Sequence, residues 1–256
     1  MGDNRNRNIA KLLFFNLLGY PTAFGQVECI KLVSAPSYTE KRIGYLGLSQ
    51  LLDESSDILM LVTSSILKDL AAKENYIVAL GLTAIAEVST ADMCRELYPA
   101  VKKHMKSSSP YIRQRACLAA VRIIKNIPDT IEDFMEIIAE LIKDSSQSVM
   151  MAVVTLCNEI CKTDASFVKK FRKHLGQLIK TLKSLLMSGY APEYEIGGVK
   201  DPFLQVKIIE LMGRIGQSNS DASDEMSDIL AQIATNTEQT KNPGNSVLAE
   251  CVRTIM

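Results

Sequence analysis

The sequence predicts an all-helical protein built by stacking one helical pattern on the next, and three observations carry that expectation. The composition suits helix: of 256 residues, 47% are hydrophobic and 23% charged, aromatics are 6% with no Trp, and the turn formers are few, with 13 Gly and 8 Pro. Apolar side chains recur at helical spacing along most of the chain. The same spaced pattern also returns several times at a nearly constant interval.

Residues 1–8 are polar and set Arg5 and Arg7 ahead of an apolar helix, Ile9 to Leu18, that Gly19-Tyr20-Pro21 stops. Phe24 to Ser34 reads as a second short amphipathic helix, and Ala35-Pro36-Ser37 breaks it. Tyr38 to Glu54 is then expected to lay Ile43, Leu46, Gly47 and Leu51 on one face, with the acidic pair Asp53-Glu54 closing it. Lys41 and Arg42 at its head are read as bonding neighbouring acidic groups or carbonyls. An isolated helix of this length is marginal in water, so its stripe has to be covered by further helices. Residues 53–57 form a polar turn, and Ile58 to Leu70 is apolar on most of its girth.

Aligning the later helices on an aromatic or β-branched starter exposes the repeat. Tyr76 is followed by Gly81, Ala84, Ile85 and Val88; Tyr111 by Ala116, Ala119, Ala120 and Ile123; Val149 by Val154, Cys157, Asn158 and Cys161; Phe203 by Ile208, Leu211, Met212 and Ile215. The offsets are 5, 8, 9 and 12 each time, one face of an α-helix. The starters Tyr38, Tyr76, Tyr111 and Val149 lie 38, 35 and 38 residues apart. A second helix fits each interval: Ile58–Leu70, Met93–Lys106 and Ile131–Lys143. Two helices per roughly 40 residues is the period of HEAT and armadillo arrays, so the expected fold is a right-handed α-solenoid over a single domain, 1–256. From Val149 to Phe203 the interval is 54 residues, and the excess lies in 188–202, too rich in Gly and Pro to be helical throughout. Gln217 to Glu225 is expected to be a second, polar and acidic loop.

The functional inventory excludes more than it assigns. With 29 basic and 29 acidic side chains the chain has no net field to aim at a polyanion, which disfavours general nucleic-acid binding. No apolar run reaches the roughly 18 residues that span a bilayer, and the polar start lacks a signal sequence, so the chain is read as soluble and cytosolic. The six cysteines (Cys29, Cys94, Cys117, Cys157, Cys161, Cys251) are scattered through apolar helices and read as reduced core thiols. Cys157 and Cys161, at a spacing that could hold a metal, fall on the core stripe and have no obvious partners, so no metal site is assigned. His104 and His174 sit in Lys-rich stretches and are expected at the surface. With no dinucleotide fingerprint and no phosphate-cradling loop, no cofactor and no enzymatic activity are expected.

Four segments resemble a known family. KRIGYLGLSQLLDE within the third helix, LLGYPTAFGQVECIKL (Leu17 to Leu32), LLMSGYAPEYEIGGVKDPFLQV (Leu185 to Val206) and the closing DILAQIATNTEQTKNPGNSVLAECVRTIM (Asp228 to Met256) are similar to the trunk of the large chains of heterotetrameric clathrin adaptors. The stretch ATNTEQTKNPGN looks more like the gamma type than the alpha or epsilon types. The resemblance implies a cargo adaptor at the trans-Golgi network and endosomes, peripheral on coated vesicles. Such a trunk holds a small sigma chain, pairs with a beta-type large chain, and joins a medium mu chain. Membrane recruitment would use phosphoinositide and an Arf-family GTPase; clathrin would be reached through hinge and ear segments outside this sequence.

Carried over residue by residue, Arg5, Arg7 and Lys11 match positions that present cations to phosphoinositide headgroups, and Val27, Ile30 and Leu61 match a surface implicated in GTPase contact. The family's first helix, with its basic residue for the dileucine signal, is expected to lie outside the sequence, so no dileucine residue is assigned. The competing reading is a generic HEAT/armadillo scaffold or transport-receptor module that binds partner helices.

Overall fold

The computed structural model describes residues 4–52, 57–187, 192–217, 219–237 and 241–256. The fold class is the expected one, an array of packed helices, and it falls into two compact units, Met1–Thr130 and Ile131–Met256.

The first unit holds α1 (Arg5–Leu17), α2 (Gln26–Val33), α3 (Tyr38–Leu51), α4 (Thr63–Leu70), α5 (Asn75–Val88), α6 (Ala91–Met105) and α7 (Pro110–Asn126). One row of helices runs α3 to α5 to α7; α1 and α2 cover α3, α4 covers α5, and α6 covers α7. The second unit holds α8 (Ile131–Leu141), α9 (Gln147–Thr163), the single turn α10 (Val168–Phe171), α11 (Leu175–Met187), α12 (Pro202–Gly216), α13 (Ser220–Asn236) and α14 (Asn242–Ile255). Its row is α9, α12 and α14, flanked by α8 on α9 and by α11 and α13 on α12.

All sixteen positions at offsets 5, 8, 9 and 12 of the four aligned helices are buried. One of them is polar: Asn158 donates from Nδ2 to the Lys207 carbonyl (3.0 Å), which turns a core position into a link between α9 and α12. The aromatic starters stay exposed at the heads of their helices, and the Tyr38 and Tyr76 rings meet edge to face at 4.9 Å. Val149 is buried instead.

The helix that served as template departs from its own pattern. In α3 the buried residues are Lys41, Gly44, Tyr45, Gly47 and Leu48, while Leu46 is exposed and Ile43 and Leu51 are half-buried. The face is turned by one residue relative to the expected stripe, because α2 lies against the glycines. A Cβ on Gly44 would stand 2.6 Å from the Val33 nitrogen and 2.9 Å from the Cys29 carbonyl oxygen, so only glycine admits this backbone approach. That closeness buries the C-terminal carbonyls of α2. Lys41 donates from Nζ to the Val33 carbonyl (2.7 Å) and to Asp69 of α4 (Oδ1 2.7 Å, Oδ2 3.0 Å), and the Tyr45 hydroxyl donates to Asp69 Oδ2 (2.8 Å). Burial, then the charge of Asp69, raises the Tyr45 phenol pKa and keeps it a donor. Arg42 is exposed.

Other expectations are corrected. Ile58–Leu70 is a 3₁₀ stretch, Asp57–Val62, followed by α4, and Met60 and Leu61 point outward from it. Residues 220–225 are the opening of α13 rather than loop, because the Asn219 side chain accepts from the Ala222 N–H and Ala222 and Met226 are buried. The described part of the 188–202 segment is a hairpin, β1 (Glu195–Ile196) against β2 (Val199–Lys200). Gly197 and Gly198 turn it with φ of 60° and 86°. Asp201 then caps α12 by accepting from the Leu204 N–H. The acidic pair Asp53-Glu54 and residues 188–191 lie outside the described residues.

Asp69→Ala leaves Lys41 buried without its counter-charge and is expected to destabilise the chain by about 3–5 kcal/mol in urea unfolding, with Lys41→Met/Asp69→Leu recovering part of the loss. A loss under about 1 kcal/mol for Asp69→Ala would show that the pair does not hold α3 to α4.

Candidate functional site

The residues assigned to the membrane fall on one helix but not on one face of it. Arg7 and Lys11 are exposed and four residues apart, hence one turn apart on the same side of α1. Arg5 is turned toward α2, where its Nε lies 2.9 Å from Glu28 Oε2. Glu28 also accepts from Lys31, and these two cations, Lys31 foremost, hold its carboxyl below the usual range. The first turn of α1 contains no acidic residue and Asn4 supplies no side-chain cap. Two arginines thus stand at the end of a helix whose dipole disfavours cations and favours an anion.

The second group straddles two elements that pack together, α2 and the Asp57–Val62 turn. The core side of α2 is Cys29, Leu32 and Val33. Val27 is 53% exposed and Leu61 67% exposed, with Ile30 half-buried. Phe24 (80%) and Met60 (50%) are also exposed, on the turn before α2 and beside Leu61. Sequence reasoning misses both, although Phe24 follows the Gly19–Pro21 break, where an aromatic has little helix to pack against. A cluster of large apolar side chains open to solvent is a signature of protein contact.

The remaining residues behave as core. All six cysteines are free and buried, and burial raises the Cys29, Cys161 and Cys251 thiols to about 11. Among the described residues no three His, Cys, Asp or Glu gather as a metal site, and no helix is long and apolar enough to cross a membrane. The histidines are not surface groups. His104 is half-buried with Nε2 2.9 Å from the Leu70 carbonyl, and His174 is buried at the end of the Arg172–His174 turn. Desolvation lowers both histidine pKa values.

Comparison with known proteins places this geometry. The family described as the adaptin N terminal region matches residues 2–256. The AP-1 complex subunit gamma of Dictyostelium discoideum is 47% identical over 254 residues, covering 99% of this chain and 28% of that protein. The gamma-2 subunit of Arabidopsis thaliana is 48% identical over 255 residues (99% and 30%), and the gamma-like 2 subunit of Mus musculus 42% over 252 residues (98% and 32%). The chain spans less than a third of the length of these relatives. A homology model of the full-length AP-3 complex has a TM-score of 0.63 at 20% identity, covering 99% of this chain and 55% of that one. A designed armadillo repeat protein reaches 0.58 at 14% identity, over 90% and 99%. At those identities the two structures share the fold.

Because Val27 and Leu61 point into solvent, Val27→Ser/Leu61→Ser is expected to change unfolding free energy by no more than about 0.5 kcal/mol. A loss above about 2 kcal/mol would mark the pair as core.

Proposed function

The chain belongs to the adaptin N-terminal region family, a family of adaptor subunits rather than enzymes, and from that premise we propose that it is the trunk of a gamma-type large subunit of a clathrin-associated adaptor complex. In this reading residues 1–256 act as one trunk domain in vesicle-mediated protein transport and cargo sorting at the trans-Golgi network and endosomes. The trunk scaffolds a small sigma chain, a beta-type large chain and a medium mu chain, and works at the cytoplasmic face of coated vesicles. The observation that carries the reading is the identity of 41–48% to several AP-1 gamma subunits over 98–99% of the chain.

Two surface features support the finer assignments. Arg7 and Lys11, with Arg5 held ready beside Glu28, would receive a phosphoinositide headgroup: flexible cations near a helix start share a multivalent phosphate through charge-assisted bonds. Val27 and Leu61, with Ile30 beneath, would receive the apolar face of a GTP-loaded Arf-family GTPase, and their exposure supports this where burial would have removed it. Clathrin contact is assigned to the hinge and ear of a full-length chain.

Coexpressed with a sigma chain and a beta-type large chain, the protein is expected to copurify with both in stoichiometric amounts. Recovery alone, or with a different stoichiometric partner, would overturn the adaptor reading. On phosphoinositide vesicles, Arg7→Glu/Lys11→Glu should lower flotation, with the difference shrinking as salt is raised; unchanged flotation would reduce the two residues to a solvated helix start.

A further inference from the structure

Net neutrality hides a local excess of charge. Between residues 162 and 183 stand Lys162, Lys169, Lys170, Arg172, Lys173, Lys180 and Lys183 against one acid, Asp164. Natural surfaces usually intersperse the two signs. Several cations of the same unit are paired: Lys207 and Arg214 converge on Glu210, which Lys162 also reaches, and Arg253 pairs with Glu250. Glu210 is accordingly held near 2 by Lys207 and Arg214, against the desolvation that would raise it. Lys170 is paired with Glu132. Among the described residues of this unit, Lys143, Lys169, Lys173, Lys180, Lys183 and Lys241 are exposed and have no ion pair.

Three of them, Lys143, Lys173 and Lys180, line a concave surface. Two grooves meet at Lys143, which lines both. One runs between α8 and the α10 region and carries Lys170 and Lys173; the other, of about 540 Å³, runs between the start of α9 and α11 and carries Lys180. Glu136 and Glu140 of α8 line the first groove, where Lys170 is already paired, and Asp144 lines the second, where Lys143 and Lys180 are both without an ion pair. There the wall mixes hydroxyls and amides (Ser146, Gln147, Gln177, Thr181) with apolar Met150, Leu185 and Leu204, and Asp144 is its one carboxylate. His174 is buried, and desolvation first, then the charges of Lys173 and Lys143, lower its pKa.

We propose that the groove between the start of α9 and α11 is a docking site for an extended acidic polypeptide segment of a partner protein, whose carboxylates seat on Lys143 and Lys180. Three features select that occupant. The charge is complementary, and on lysines without internal counter-ions an incoming carboxylate displaces water rather than an existing pair. The lining sets Ser146, Gln147, Gln177 and Thr181 beside Met150, Leu185 and Leu204, so it offers an extended backbone hydrogen bonds as well as apolar contact. The surface is concave, which a chain can enter and a flat bilayer cannot follow. The site stands in the second unit, apart in sequence from the Arg7–Lys11 and Val27–Leu61 surfaces, and does not depend on either.

The test is fluorescence anisotropy of the 256-residue chain with a labelled dodecapeptide rich in Asp and Glu, beside the same peptide with Asn and Gln. The acidic peptide should bind, weaken steeply as salt is raised, and lose about tenfold or more in affinity for Lys143→Glu/Lys180→Glu, while Arg5→Glu/Arg7→Glu leaves it unchanged. A photo-crosslinking version of the acidic peptide should label α9 or α11 of the unmodified chain, which keeps the test independent of how the variant folds. No binding, equal binding of the neutral peptide, labelling elsewhere, or full affinity in the double variant would each overturn the proposal. So would a double variant that loses flotation with phosphatidylserine vesicles while keeping the peptide, because the lysines would then serve a membrane.

Discussion

The close approach of α2 to Gly44 is the constraint from which much of the first unit follows. With the Cβ position of Gly44 only 2.6 Å from a backbone nitrogen, α3 and α2 touch main chain to main chain. Such contact seals the last carbonyls of α2 away from water, and a helix end without partners is costly. Lys41 supplies the partner for Val33 and places a positive charge where the α2 dipole is negative. The lysine cannot be buried uncompensated, so Asp69 is drawn in from α4, and Tyr45 satisfies the second carboxylate oxygen. One missing methyl group thus leads to a network that fastens three helices.

The same constraint decides what could be read from the chain. The later repeats were legible because their stripes are carried by ordinary apolar side chains whose burial follows from helical spacing alone, as with Ala116, Ala119, Ala120 and Ile123. In α3 the buried face carries glycines and a lysine, which hydropathy scores as solvent-facing, so the stripe was displaced by one residue. At the head of α3, Lys41 calls for an acid or a carbonyl and finds both, but nothing local points to Asp69, 28 residues away. The start of α13 is hidden for a related reason: its first residues, 220–225, are polar and exposed apart from Ala222, and the signal is Asn219 as a cap ahead of the Ala222–Met226 spacing.

The candidate surfaces divide in a similar way. Helical spacing could not tell whether Val27, Ile30 and Leu61 were core or surface, because that depends on which side of α2 its neighbours occupy. The neighbours chose Cys29, Leu32 and Val33, and left Val27 outward. Leu61 is outward because its segment is wound as a 3₁₀ stretch, whose three-residue turn changes which side chains face in. Arg5, Arg7 and Lys11 look like one cluster in sequence, yet the hundred-degree step of a helix separates Arg5, and Glu28 then claims it.

Charge illustrates the limit of composition most sharply. Twenty-nine cations against twenty-nine anions exclude a long-range field, and that exclusion is sound because it concerns distances beyond the screening length of about 8 Å at physiological salt. Within that length, arrangement replaces the sum. Glu210 gathers Lys162, Lys207 and Arg214 in ion pairs, whereas Lys143 and Lys180 line a groove that also holds Asp144, with no ion pair to either lysine. Cations quenched on a helix surface contribute little to recognition, since an incoming anion must first break the pair. Unquenched ones keep their full attraction, so the reading of partners rests on which side chains are left unpaired, a property the fold sets and the composition cannot report.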